Sequence, residues 1–224
     1  MEGGKRFLEC CCTSVSEALE AEAGGASRIE LCTDLSCGGT TPDRSILEET
    51  LSKVSIPVNV LIRPRGGSFV YSRNEIGRIY EGIGMCKDLG VNAVVIGVLD
   101  HDGNVDVGAM AGLMEAARGL RVTFHRAFDE CRDPFKALED IISLGCDRLL
   151  TAGHAANVND GLETLKKLNE AAAGRITVLA GSGVRPENIA HIEEYTGIRE
   201  FHSSSHGPDG LTSRETVARM VRRG

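Results

Sequence analysis

The stretch "RFLECCCTSVSEALEAEAGGASRIELC", residues 6–32, carries the pattern that decides the fold. It begins with a β-rich run at 6–12 and ends with a second one at 28–32. The segment between them is typical of a helix, because Ser14 is a favourable N-cap residue and Glu17 follows three residues later, as in a capping box. The stretch therefore predicts a strand, a helix and a second strand in succession.

This alternation of strands and helices continues along the 224-residue chain. The predicted strands are 6–12, 28–32, 57–64, 92–99, 120–125, 147–153, 175–181 and 199–205. Eight alternating units in a chain of domain size predict an α/β protein, a closed (β/α)8 TIM barrel, and we interpret residues 1–224 as one domain. An open doubly wound sheet is the alternative, but its first turn usually reads GxGxxG, and here it reads "CCCTSV".

The composition limits the classes of partner. A formal net charge of −7 argues against binding to nucleic-acid phosphates. The chain has no uncharged apolar run long enough for a membrane span, and its N-terminal residues lack the apolar core of a signal peptide. We therefore expect a cytoplasmic protein whose eight cysteines are reduced thiols. Barrels of this size often self-associate, so we also expect a homo-oligomer.

The three consecutive cysteines of the first strand are predicted to face opposite sides. Side chains on a barrel strand point alternately to the interior and to the helix layer. If Leu8 packs against the helices, Cys10 and Cys12 do the same, while Glu9 and Cys11 point into the barrel. The triplet therefore cannot hold a metal ion jointly.

The same alternation predicts an interior that is unusually charged. The inward-facing ionisable residues include Glu9, Glu30, Arg63, His125, Glu200 and His202. Barrel interiors are normally filled by aliphatic side chains, and buried charges are costly unless they are paired or functional. One interpretation is a structural ion-pair network such as Glu9–Arg63 or Glu30–Arg63. The other is a functional site at the C-terminal mouth of the barrel, where barrel enzymes carry out their chemistry.

The ends of several strands indicate an anionic ligand. Gly181 and Gly183 lie in "AGSGVRPEN" after the seventh strand, and Ser203 lies in "HSSS" at the end of the eighth. Loops at these two positions form the usual phosphate site of such barrels. Arg63 and Arg65 of "IRPRGG" follow the third strand and supply positive charge.

Several stretches also carry a resemblance to a known family. They are "GGASRIELC", "GGTTPD", "IPVNVLIRPRGGSFVYS", "VIGVLDHDGNVD", "VTFHRAFDECRDP", "LLTAGH" and "EFHSSS". The chain resembles the CutC copper-homeostasis family, which implies a short (β/α)8 barrel and cytosolic copper handling. The resemblance also implies copper(I) binding by cysteines at the positions of Cys11 and Cys32. Other family positions match Glu9, Glu30, Arg63, Arg65, His125 and Asp129.

Two functional hypotheses follow. In the first, the protein binds copper(I), a soft cation that prefers thiolates, through Cys11 and Cys32 on neighbouring strands, with His125 as a candidate third ligand. The structural alternative is that both are ordinary buried cysteines.

In the second hypothesis, the protein is an enzyme of unknown reaction that acts on a small anionic or phosphorylated metabolite. Glu9 or Glu30 would be the general base, and His125 the acid or its partner. Arg63 and Arg65 would bind the anion, assisted by the loop at residues 181–183.

Overall fold

In the computed structural model, which describes residues 5–223, eight parallel strands form a closed barrel and alternate with eight helices. The strands are β1 (Phe7–Cys12), β2 (Arg28–Leu31), β3 (Val58–Leu61), β4 (Ala93–Ile96), β5 (Arg121–Phe124), β6 (Arg148–Thr151), β7 (Thr177–Ala180) and β8 (Glu200–Ser203). The helices are α1 (Val15–Gly24), α2 (Arg44–Lys53), α3 (Arg73–Asp88), α4 (Val107–Ala116), α5 (Pro134–Ser143), α6 (Leu162–Ala172), α7 (Ile189–Thr196) and α8 (Arg214–Val221). The predicted (β/α)8 TIM barrel is confirmed. The expected domain of residues 1–224 includes residues 1–4 and 224, which lie outside the described part.

The first βα unit forms for local reasons. The Ser14 side chain accepts a hydrogen bond from the Glu17 N–H at 3.2 Å and caps α1 as the sequence predicts. The Glu17 carboxylate departs from the capping-box pattern, because it accepts the N–H of Thr13 at 2.6 Å and the Thr13 hydroxyl at 2.7 Å. Gly25 ends the helix at φ 94°, a left-handed conformation that glycine adopts without strain.

Strand alternation separates two apolar layers. Leu8, Cys10 and Cys12 are fully buried and belong to the large core between the strands and the helices. Cys11 belongs to a small separate cluster inside the barrel, which also includes Cys32. The predicted division of the cysteine triplet is therefore present in the structure. Within residues 5–223, no helix combines the length and apolar character needed to cross a bilayer.

A charged network occupies the barrel interior near the amino ends of the strands. Arg28 donates hydrogen bonds to Glu9 and, at 3.2 Å, to Glu200. Arg148 donates to Glu200 at 2.8 Å. The suggested pairs Glu9–Arg63 and Glu30–Arg63 are wrong.

The register of the strands explains this correction. Residue Glu9 of β1 lies directly opposite Arg28 of β2, and Glu30 lies opposite Asn59 of β3. Arg63 follows Asn59 by four residues, roughly 13 Å further along an extended chain. It therefore lies near the mouth of the barrel, away from Glu9.

Candidate functional site

The carboxyl ends of the strands surround a cavity of about 710 Å³. The residues named from the sequence that line it are Cys11, Glu30, Cys32, Arg63, His125, Asp129, Gly183, His202 and Ser203. Glu9, Arg65 and Gly181 are not among its lining residues. The structure therefore brings most of the candidate residues together at one mouth of the barrel.

A pair of thiols lies in the wall of this cavity. The Sγ atoms of Cys11 and Cys32 are 3.4 Å apart, and both cysteines are buried and free. The hydrogen bond with Cys32, burial and the charge of Glu30 raise the pKa of the Cys11 thiol well above its usual value. At neutral pH the Cys11 thiol is therefore protonated.

An imidazole and a carboxylate adjoin the thiol pair. The Cys11 sulfur, a Glu30 carboxylate oxygen and a ring nitrogen of His202 all lie within 4.8 Å of one another. The Nε2 atom of His202 is 3.6 Å from Glu30 Oε2, and its Nδ1 atom is 2.9 Å from Glu9 Oε1. Burial opposes protonation of His202, but Glu30 and Glu9 outweigh it and raise the pKa of the ring. His202, rather than His125, is therefore the histidine beside the thiols.

The two candidate general bases differ in their surroundings. Burial disfavours the charge of Glu9, but Arg28 and His202 outweigh it and lower the pKa of this carboxyl to about 2. Such a carboxylate is a weak base, and it has no access to the cavity. Burial raises the pKa of Glu30, which does line the cavity. Glu30 is consequently the better placed of the two for proton transfer.

His125 is a neutral imidazole in a buried position. Burial, with a smaller effect of the Arg63 charge, lowers the pKa of the ring to about 3. Its Nδ1 atom accepts the backbone N–H of Ala127 at 3.2 Å, so the ring proton resides on Nε2. At neutral pH this side chain therefore offers one N–H donor and no positive charge.

The two arginines of the loop after β3 have different environments. Arg63 lines the cavity and donates to the carbonyls of Cys37 at 2.8 Å, Gly39 at 3.0 Å and Gly67 at 2.8 Å. Arg65 lies outside the cavity, where its guanidinium pairs with Glu75 on α3. It also donates to the carbonyls of Ser68 and Val70. Arg65 therefore fixes its own loop to α3.

The loops after β7 and β8 contribute a further arginine. Ser203 donates its hydroxyl hydrogen to the Val184 carbonyl at 2.9 Å and accepts a hydrogen bond from Arg185 at 3.4 Å. Gly183 has a φ of 85° and lines the cavity, whereas Gly181 is not among the lining residues. Only the second glycine of the predicted anion loop therefore faces the site.

Sequence reasoning assigned no site role to Arg126, Arg185 or His202, which all line the cavity. Arg126 follows His125 directly, and its guanidinium pairs with Asp129 at 2.8 Å. Position at the end of a strand is the signal that could have found Arg126. Strand alternation in β8 correctly predicts that His202 points inward. Its position beside Cys11 could not be predicted, because it depends on the pairing of β8 with β1.

The fold and the site together define a class. The protein is a TIM-barrel protein whose C-terminal mouth carries a buried thiol pair beside an imidazole and a carboxylate. The model of the CutC family matches residues 6–207, and the chain belongs to that family.

Relatives and solved structures agree with this membership. A CutC family protein of Parabacteroides distasonis is 48% identical over 202 residues, which cover 90% of this chain and 83% of that protein. The human copper homeostasis protein cutC homolog is 46% identical over 199 residues, covering 89% and 73% of the two chains. The crystal structure of the CutC protein of Streptococcus agalactiae superposes with a TM-score of 0.85 at 33% identity, covering 89% and 98%.

A more distant likeness concerns the fold alone. Phosphoribosylanthranilate isomerase of Pyrococcus furiosus superposes with a TM-score of 0.63 at 15% identity, over 96% of each chain. At this identity the two proteins share the barrel, and fold does not imply function.

Proposed function

We propose that the protein is a cytosolic copper homeostasis protein that binds copper(I) through the thiolates of Cys11 and Cys32. The observation that carries the proposal is the 3.4 Å distance between the two Sγ atoms. Copper(I) is a soft cation that prefers thiolate ligands. The human relative is named a copper homeostasis protein, which supports the same conclusion.

The surroundings of the thiols favour a third donor from β8. His202 is the nitrogen donor nearest to Cys11 in the cluster, whereas the carboxylate of Glu30 is a hard ligand that suits copper(I) less well. Metal binding requires the thiolate and the neutral imidazole. The raised pKa values of Cys11 and His202 therefore predict that copper(I) binding releases protons and weakens as the pH falls.

Anaerobic titration with copper(I) against a chromogenic chelator tests the proposal. The wild-type protein should bind one ion per chain tightly, and the variant Cys11→Ser/Cys32→Ser should lose this site. Cys12→Ala is the matched control, because Cys12 adjoins Cys11 in sequence but packs in the helix-facing core. If the double variant keeps the stoichiometry and affinity of the wild type, the thiol pair is not the copper site.

The cytosolic location and a homo-oligomeric state belong to the same proposal. A cytosolic location implies that the eight cysteines of the chain are reduced thiols. Light scattering on the purified protein tests self-association, and a species with the mass of one chain would contradict it.

A second candidate function is catalysis on a small anionic or phosphorylated metabolite. The observation that favours it is the presence of Arg63, Arg126 and Arg185 around the 710 Å³ cavity, since copper(I) requires no arginines. The volume lies within the usual range of small-molecule sites. Glu30 is the candidate general base and His125 its neutral partner. Ligand-detected NMR with sugar phosphates and organic acids tests this function, and the absence of any binding would contradict it.

A further inference from the structure

Arg63 is a buried cation without an anionic partner. Arg63 is only 5% exposed to solvent. Within the described residues, its hydrogen bonds all go to backbone carbonyls, those of Cys37, Gly39 and Gly67. In the described part of the chain, its Nε–H makes no hydrogen bond, and neither does the buried hydroxyl of the neighbouring Tyr71. A buried charge is costly unless a counter-charge compensates it, so this arrangement indicates a missing anionic partner.

His125 supplies a second donor without an acceptor in the same wall of the cavity. Its Nδ1 atom is occupied by the Ala127 N–H, and the neutral ring carries its proton on Nε2. The Nε2 atom is buried and has no partner within residues 5–223. Native proteins rarely leave buried donors unpaired, and two such donors on residues that line one cavity point to a ligand with an acceptor oxygen.

The ring of Phe69 contacts both side chains. The guanidinium carbon of Arg63 lies 4.6 Å from the centroid of the Phe69 ring, and the His125 ring lies 4.9 Å from it. The two unpaired nitrogens, Arg63 Nε and His125 Nε2, are buried from solvent in this conformation. Phe69 itself lines the cavity, two residues after Gly67, which has a φ of 76°. Access of a ligand oxygen to the two nitrogens therefore requires the covering side chains to move, and Phe69 is a side chain that contacts both residues.

We propose that the mouth cavity binds a small organic oxyanion, a carboxylate or a phosphate group, whose oxygen accepts hydrogen bonds from Arg63 Nε and His125 Nε2. This inference rests on the second candidate function and names the anchor of its ligand. A cation does not suit the position, because both groups are donors and Arg63 is charged. Asp129 does not serve as the missing anion, since its carboxylate already accepts hydrogen bonds from Thr151, Ala152 and His154.

NMR of the full chain with ¹⁵N-labelled histidine tests the proposal, with inorganic phosphate and succinate as separate probes. A saturable shift of the His125 Nε2 resonance is expected. His154, which lines the same cavity and donates its backbone N–H to Asp129, should shift less. The two probes distinguish a phosphate from a carboxylate ligand.

Three variants identify the anchor. Arg63→Lys keeps the charge but loses the Nε–H, and should weaken binding of the better probe about tenfold. Arg65→Gln is the matched control, because Arg65 lies in the same loop but outside the cavity, and it should bind as the wild type does. Phe69→Ala should tighten binding, since the competent conformation no longer requires the ring to turn.

The outcomes separate this inference from the functions on which it draws. One contrary result is that a probe binds while the His125 resonance stays fixed and Arg63→Lys binds normally. This result would contradict anchoring by Arg63 and His125, but it would agree with an anionic ligand in the cavity. If neither probe binds the wild-type protein, both the proposed anchor and the second candidate function are wrong. Equal losses in Arg63→Lys and Arg65→Gln would mean that the arginines act by holding the loop, which also overturns the inference.

Discussion

At the scale of residues, neighbours with the same chemistry have unlike environments in this protein. Cys10 lies 3.5 Å from the Ser205 hydroxyl in the helix-facing core, and burial raises the pKa of its thiol to about 12. Cys11, the next residue, contacts Cys32 and the mouth cavity. Since the pKa of both thiols is raised, the two positions differ in what their sulfur atoms can contact, which is the helix-facing core for Cys10 and the cavity for Cys11.

His125 gives a prediction on pH dependence. The folded protein keeps the ring neutral, with a pKa of about 3 against 6.5 in the unfolded chain, so protonation favours unfolding. This destabilisation grows as the pH falls from 6.5 towards 3. Between pH 7 and pH 5, it should cost about 2 kcal/mol of the free energy of unfolding.

Urea denaturation of the wild type and of His125→Asn at both pH values measures this contribution. The asparagine side chain can still accept the Ala127 N–H but does not titrate. The decrease in stability between pH 7 and pH 5 should therefore be smaller in the variant by that amount. His202 has a raised pKa and acts in the opposite direction in both proteins, so it cancels in the comparison. Equal pH dependence would mean that the folded state tolerates a charged His125.

At the scale of elements, the barrel closes where the first and last helices meet. A Cβ atom added to Gly24, the last residue of α1, would lie 2.6 Å from the Val217 Cβ atom and 2.7 Å from the Arg214 carbonyl oxygen of α8. The absence of a side chain therefore permits close contact between the two helices. The Arg6 N–H, which donates to the Val221 carbonyl at 2.8 Å, ties the two ends of the chain at the same seam.

Alanine substitution at two helical glycines should have opposite effects on stability. Gly24→Ala should destabilise the protein by about 1–3 kcal/mol, because the added methyl group overpacks the seam against backbone and Val217. Gly84→Ala in α3 is the control, since a Cβ atom there meets nothing within 4 Å. That variant should gain about 0.5–1 kcal/mol from helix propensity. Denaturant unfolding measures both, and stabilisation by Gly24→Ala would contradict the close packing of α1 on α8.

At the scale of the whole molecule, the barrel interior is divided along its axis. The buried ionic network of Glu9, Arg28, Arg148 and Glu200 occupies one part, and the mouth cavity occupies the other. In TIM barrels the amino end of the strands contributes stability and the carboxyl end contributes function.

Although Glu9 links the network to His202, the thiol pair lies outside the network, so stability and the stoichiometry of copper binding should be separable. Arg28→Met should cost about 3–5 kcal/mol of the free energy of unfolding, because it leaves the carboxylate of Glu9 buried without its cation. Arg44→Met, which removes an exposed ion pair with Glu48, should cost less than about 1 kcal/mol. Under conditions where both variants are folded, each should bind copper(I) with the wild-type stoichiometry. Loss of copper binding in Arg28→Met without loss of stability would contradict the division.

The sequence alone determined the barrel and the direction of its strand side chains. Both follow from local periodicity, since the alternation of apolar residues within one strand fixes which face meets the helices. The split of Cys10, Cys11 and Cys12 could therefore be predicted, and so could the inward position of His125.

Only the tertiary structure decided which of these residues meet. The pairing of Glu9 with Arg28 depends on the register between β1 and β2. His202 and Glu9 are 193 residues apart in sequence, and they meet because the barrel closes between β1 and β8. The exclusion of Arg65 from the cavity depends on the path of a loop and on its contact with Glu75. Local periodicity encodes direction, whereas partners are chosen by strand register, loop path and barrel closure, which no single segment of the sequence contains.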